Sequence, residues 1–174
     1  MKRLNYSWFN GILALAGWLI CLATQSIWAV AASVIILMVH FSTSGSWKKE
    51  REILVITLIL GSALDSVMSN FSLLNFLGDS RILPSWLACV WIMLGITIRH
   101  SLSWTAKNRL TGNVLIIVLT AGHYSALINF TPVSSYLPTW QAVSILALSA
   151  TVMINIILTF SDIWLEKYQR QNPQ

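Results

Sequence analysis

Six apolar runs divide the chain, each close to the length that crosses a lipid bilayer, and this leaves few folds open. They lie at Tyr6–Thr24, Ile27–Phe41, Ile53–Asn70, Leu83–Ser103, Asn113–Phe130 and Thr139–Phe160. A spanning helix needs ~20 mostly apolar residues to cover ~30 Å of hydrocarbon. The second run is the shortest, and only Gln25-Ser26 separates it from the first. A re-entrant hairpin is therefore the alternative to a full crossing there, although a polar turn at membrane depth would lack water for its backbone. Only 10% of the 174 residues are charged and 56% are hydrophobic, whereas a soluble domain carries about 25% charged residues to cover its surface. The expected fold is an all-α polytopic transmembrane helix bundle, a single domain over residues 1–174 with about six spans.

Charge placement tests this count independently, because Lys and Arg collect in short cytoplasmic loops. With the amino terminus inside, Lys2, Arg3, Lys48, Lys49, Arg51, Arg99, Lys107, Arg109, Lys167 and Arg170 fall on the cytoplasmic side and only Arg81 falls outside. Both termini are expected to be cytoplasmic. A cleaved leader is the alternative for the first run, but Ser7, Gly11, Ala14, Gly17 and Cys21 recur at helical spacing and predict a seam for close packing in lipid. Cys21 and Cys89 both sit in apolar runs and read as buried thiols. The net charge of +5 is spread in ones, twos and threes beside apolar segments, which argues for orientation in a membrane and against nucleic acid.

Polar side chains inside the spans are the candidate sites, since they are costly in lipid and tend to face the bundle interior. Ser62, Asp65, Ser66 and Ser69 follow an i, i+3, i+4, i+7 pattern and share one face of the third span. The antiparallel order of spans places His123, Tyr124 and Ser125 of the fifth at similar depth, so an Asp65–His123 pair is geometrically allowed. Two readings follow: a proton-transfer or substrate-binding pair, or interhelical hydrogen bonds worth ~0.6–2 kcal/mol that hold the bundle together. A second layer, Asn10, His40, Glu52, Arg99, His100, Asn155 and Asp162, falls near the inner interface. Arg99 is the expected counter-ion of Glu52 or Asp162, and ordinary anchoring at headgroup level is the alternative. Ser144, Thr151, Asn155, Thr159 and Asp162 fall along one side of the sixth span and suggest an inward polar stripe.

No phosphate loop, metal-binding histidine spacing or nucleophile elbow is present. The three histidines lie in three spans, and a three-histidine metal site is not expected; neither is a cofactor. Lys48-Lys49-Glu50-Arg51-Glu52 reads as an orientation signal and helix start, with attraction of anionic lipid as a further role.

Glu52, Asp65-Ser66, Pro84-Ser85-Trp86-Leu87 with Trp91, and Ser101-Leu102 with Trp104 resemble the bacterial inner-membrane family termed domain of unknown function 2878. The fifth span departs from the family pattern, with Gly122-His123-Tyr124 lacking a proline before the tyrosine. The resemblance implies a bacterial inner (plasma) membrane location, about six spans and no established activity. It also implies proximity to genes of fatty-acid cyclopropanation and stress, hence a lipid-linked role. Glu52 and Asp65 are the matching positions best suited to chemistry. Three functions stay open: an accessory protein binding membrane lipids or another membrane protein, a transporter or channel subunit that assembles as a homo-oligomer, and a membrane-embedded enzyme acting on an acyl chain.

Overall fold

Apolar runs with no proline beyond Pro84 near the start of the fourth, broken by short polar segments, become six helices in a computed structural model of the chain. It describes residues 7–43, 46–76, 82–105 and 108–171. The helices are α1 (Ser7–Thr24), α2 (Ile27–Thr43), α3 (Trp47–Asn70), α4 (Ser85–Ile98), α5 (Arg109–Phe130) and α6 (Thr139–Gln171). Lys2, Arg3, Arg81 and Lys107 lie outside the described residues. Gln25 takes a left-handed conformation (φ 46°) and closes the turn between α1 and α2, its N–H returning to the Cys21 carbonyl at 3.1 Å and its side-chain amide to that of Leu22 at 2.9 Å.

The burial pattern is that of a protein whose outside is apolar. Leu15, Leu19, Ile35, Val55, Ile59, Val118, Val152 and Ile156 are exposed, while Asn10, His40, Glu50 and Asp65 are buried. Contiguous apolar outer faces are rare on soluble monomers, and lipid is the surrounding that suits them. Among the described residues, α1, α3, α5 and α6 are long and apolar enough to cross a membrane, whereas α2 and α4 are apolar but shorter. The chain is an all-α helical bundle of membrane-protein character.

α4 organises the packing. It starts after Pro84, which lacks an N–H and suits a helix entrance, and it ends at Ile98, five residues before the expected end of the fourth span. Ten of its residues are buried, against α1, α2 and α3. α6 packs on α3, and α5 packs on α6. α1 and α5 make at most slight contact with each other, so the bundle is open between them. Ala14, Gly17 and Cys21 face inward from α1, with Gly17 against Met93 and Ile36. At one end, Asn75 and Ser134 exchange backbone hydrogen bonds of 2.8 and 3.1 Å and tie the α3–α4 connection to the α5–α6 connection. At the other end, Arg99 donates to the Lys49 carbonyl, and Ser7 to the His100 carbonyl.

The expected inward stripe on α6 is mostly not inward. Thr151 is buried, but Ser144, Thr159 and Asp162 are exposed. Ser144, Asn155 and Thr159 each return a hydrogen bond to a carbonyl one turn earlier in α6. Short polar side chains can satisfy themselves on their own helix, so helical phase alone did not decide which way they faced.

Candidate functional site

A half-enclosed cavity of about 450 Å³ fills the opening between α1 and α5. Its walls are Gly11, Ala14, Leu15 and Trp18 from α1, Val118, Leu119, Gly122 and His123 from α5, and Trp91, Met93 and Leu94 from α4. The lining is almost entirely apolar, and the volume is within the ~300–1,000 Å³ of ordinary ligand pockets.

Asp65 stands behind this groove. Trp91 Nε1 donates to its Oδ2 at 2.7 Å, and the Tyr124 hydroxyl donates to its Oδ1 at 2.8 Å. Trp91 and Tyr124 line the groove, so the carboxylate fixes two of its wall aromatics from the rear. Asp65 and Tyr124 are both fully buried. Gly61, one turn before Asp65, makes the arrangement possible: a Cβ there would overlap the Trp91 ring. Ser66 donates to the Ser62 carbonyl at 2.8 Å, and Ser62 Oγ is buried without a partner among the described residues.

His123 does not bond Asp65. Its Nδ1 accepts from Trp18 Nε1 at 2.9 Å, and its ring lies 4.9 Å from that of Tyr124. An indole nitrogen can only donate, so His123 Nδ1 must be the unprotonated nitrogen and the neutral ring carries its hydrogen on Nε2. Nε2 is buried with no partner among the described residues. An orphaned buried N–H of this kind costs ~1–3 kcal/mol unless an acceptor arrives.

The second layer assembles around a residue that sequence reasoning passed over. His40 Nε2 lies 2.7 Å from Glu50 Oε2, His100 Nε2 lies 3.2 Å from Glu50 Oε1, and the Ser46 N–H donates to Oε1 at 2.7 Å. Glu52 points elsewhere and forms an exposed ion pair with Arg51 at 3.2 Å. The signal was helical phase: stepping back from Asp65 through Gly61, Thr57 and Leu54, all buried on α3, reaches Glu50, whereas Glu52 lies well round the helix. Arg99, expected to pair with Glu52 or Asp162, forms no ion pair with either among the described residues. It donates to Ser161 Oγ at 3.0 Å and to the Ser161 carbonyl at 3.2 Å, and lies 5.0 Å from the Trp164 ring centroid. Asn155 and Asp162 border only a small recess with Arg109.

A profile of the family described as protein of unknown function (DUF2878) matches residues 7–156. The chain belongs to this family. The matched stretch holds the groove, Asp65 and the Glu50 cluster, while the last turns of α6 fall beyond it. Neither the curated proteins nor the solved structures gave a match.

Proposed function

We propose that this family member is a lipid-binding accessory protein of the bacterial inner membrane, which holds one acyl chain with its carbonyl in the groove between α1 and α5. The observation that carries this reading is the half-enclosed, almost wholly apolar groove of about 450 Å³ itself, with His123 in its wall. An apolar wall takes the chain by removing it from competing contacts, and a small side-chain movement that turns His123 Nε2 toward the groove lets it donate to a carbonyl, ester or carboxyl oxygen. Basic residues gathered at the end of the bundle that holds Lys49, Arg99 and Arg109 support both termini lying in the cytoplasm with six crossings.

The transporter and acid-base readings draw less support. Both Asp65 oxygens are taken by Trp91 and Tyr124, and the Asp65–His123 bond that an acid-base pair would use is not formed.

Gly122 supplies the test. Gly122 lines the groove and a Cβ there meets nothing within 4 Å, so Gly122→Phe adds bulk at the groove wall with no clash at its first side-chain atom. A phospholipid with a photoreactive acyl chain should label wild type on α1 and α5, at segments holding Leu15 and Leu119, and labelling of these segments should fall at least tenfold in Gly122→Phe. Even labelling of all outer helix faces, unchanged by the substitution, would remove the proposal.

A further inference from the structure

We propose that His40, Glu50 and His100 form a binding site for one divalent first-row transition-metal ion, a function separate from the acyl groove. The three come from α2, α3 and the turn after α4. One ligand atom from each lies within 4.8 Å of the other two. Two imidazole nitrogens and a carboxylate are an established donor set for zinc and for ferrous iron, with further positions left for water or substrate. Around a tetrahedral ion with ~2.1 Å bonds, neighbouring ligand atoms stand roughly 3.4 Å apart. His40 Nε2 and His100 Nε2 stand 2.7 and 3.2 Å from the two different oxygens of Glu50, so the carboxylate can meet an ion between the imidazoles through one oxygen or through both.

The surroundings can serve the bound state without losing a hydrogen bond. His40 is fully buried, and its Nδ1 lies 3.0 Å from the Asn10 amide. With no ion, Asn10 donates to Nδ1 and His40 donates from Nε2 to Glu50. With an ion on Nε2, the hydrogen moves to Nδ1, the Asn10 amide turns over, and its oxygen accepts. Ser101 fits both arrangements: its hydroxyl lies 2.8 Å from Asn10 Oδ1 and 2.8 Å from the Ser7 carbonyl. It donates to Asn10 in the first state, and in the second it accepts from Asn10 while donating to Ser7. A ligating histidine ordinarily has its second nitrogen held in this way. The His100 side chain keeps 21% exposure, which gives an ion a way in. The Arg99 charge is near but is held by Lys49, Ser161 and Trp164, leaving the carboxylate to the ion. Ser101 also lines the acyl groove, so the two sites share a wall.

The test is titration of the metal-stripped full chain in detergent with Co²⁺ alone. Wild type should bind one Co²⁺ per chain with visible d–d absorption that Zn²⁺ abolishes by displacement. Glu50→Gln should lose the spectrum, Asn10→Leu should weaken binding ~10–100-fold, and Asp162→Asn, at an exposed carboxylate of the same end, should leave it unchanged. His100→Cys keeps the proposal testable if removing a ligand unfolds the chain: it should retain Co²⁺ and add a thiolate-to-metal charge-transfer band. Wild type without a stoichiometric spectrum, Glu50→Gln binding as tightly as wild type, or His100→Cys without the new band would each overturn it and leave the cluster as a hydrogen-bonded clasp.

Discussion

Asp65 and His123 look alike in sequence, each an ionisable group within an apolar helix, yet they occupy opposite positions in hydrogen-bond terms. Asp65 has both oxygens satisfied by neutral donors, whereas His123 has a buried nitrogen left over. Their substitutions should therefore differ in kind. Asp65→Leu strands the Trp91 N–H and the Tyr124 hydroxyl and should cost ~2–4 kcal/mol of stability, while Asp65→Asn, which still accepts from Trp91, should cost ~1 kcal/mol. Thermal unfolding in detergent measures both, and equal melting points for the two variants would contradict the geometry. His123→Leu should instead leave the melting point near wild type, because it exchanges one unsatisfied donor, His123 Nε2, for another, the part-buried Trp18 Nε1. Asp65, Tyr124 and His123 were legible in the sequence because apolar neighbours make a polar residue conspicuous. Glu50 was not, because it stands among Lys48, Lys49, Arg51 and Glu52, where charge at a helix start is ordinary and only the phase of the buried face marks it.

At the scale of elements, α3 carries both polar clusters on one face, with Gly61 between them as the seat of Trp91. Gly61→Ala would improve intrinsic helix propensity by ~1 kcal/mol, yet it should destabilise by ~1–3 kcal/mol by driving the indole off its seat. Because that movement also breaks the bond to Asp65, Gly61→Ala combined with Asp65→Leu should cost less than the two single variants together. Additive losses in melting experiments would show that the indole does not link the two positions. The helices themselves were readable from run length and from the Gln25-Ser26 break. Their facing was less so: the α6 side chains bond their own backbone, which removes the pressure that would turn them inward. The end of α4 also escaped, because Arg99, His100 and Ser101 leave the helix to engage Lys49, Glu50 and Asn10, and those partners are distant in sequence.

For the whole molecule, the distribution of Lys and Arg predicts the orientation. Fluorescent-protein fusions at the carboxyl terminus should be bright, and alkaline phosphatase fused after Thr131 should be active, as expected for a cytoplasmic terminus and an external α5–α6 connection. The reverse result would invert the bundle, and activity of phosphatase fusions at both places would remove the six-crossing count. The fold class was accessible from composition alone, but the opening between α1 and α5 was not, because it depends on which helices fail to meet. The length of α4 has a consequence for the groove. At ~1.5 Å per residue, its 14 residues rise about 21 Å, well short of ~30 Å of hydrocarbon. Ten of those residues are buried, so the short helix forms the back of the groove between α1 and α5 rather than a face toward lipid. If the groove holds an acyl chain as proposed, a backing wall of that height suits a shorter or kinked chain better than a straight one that needs the full depth.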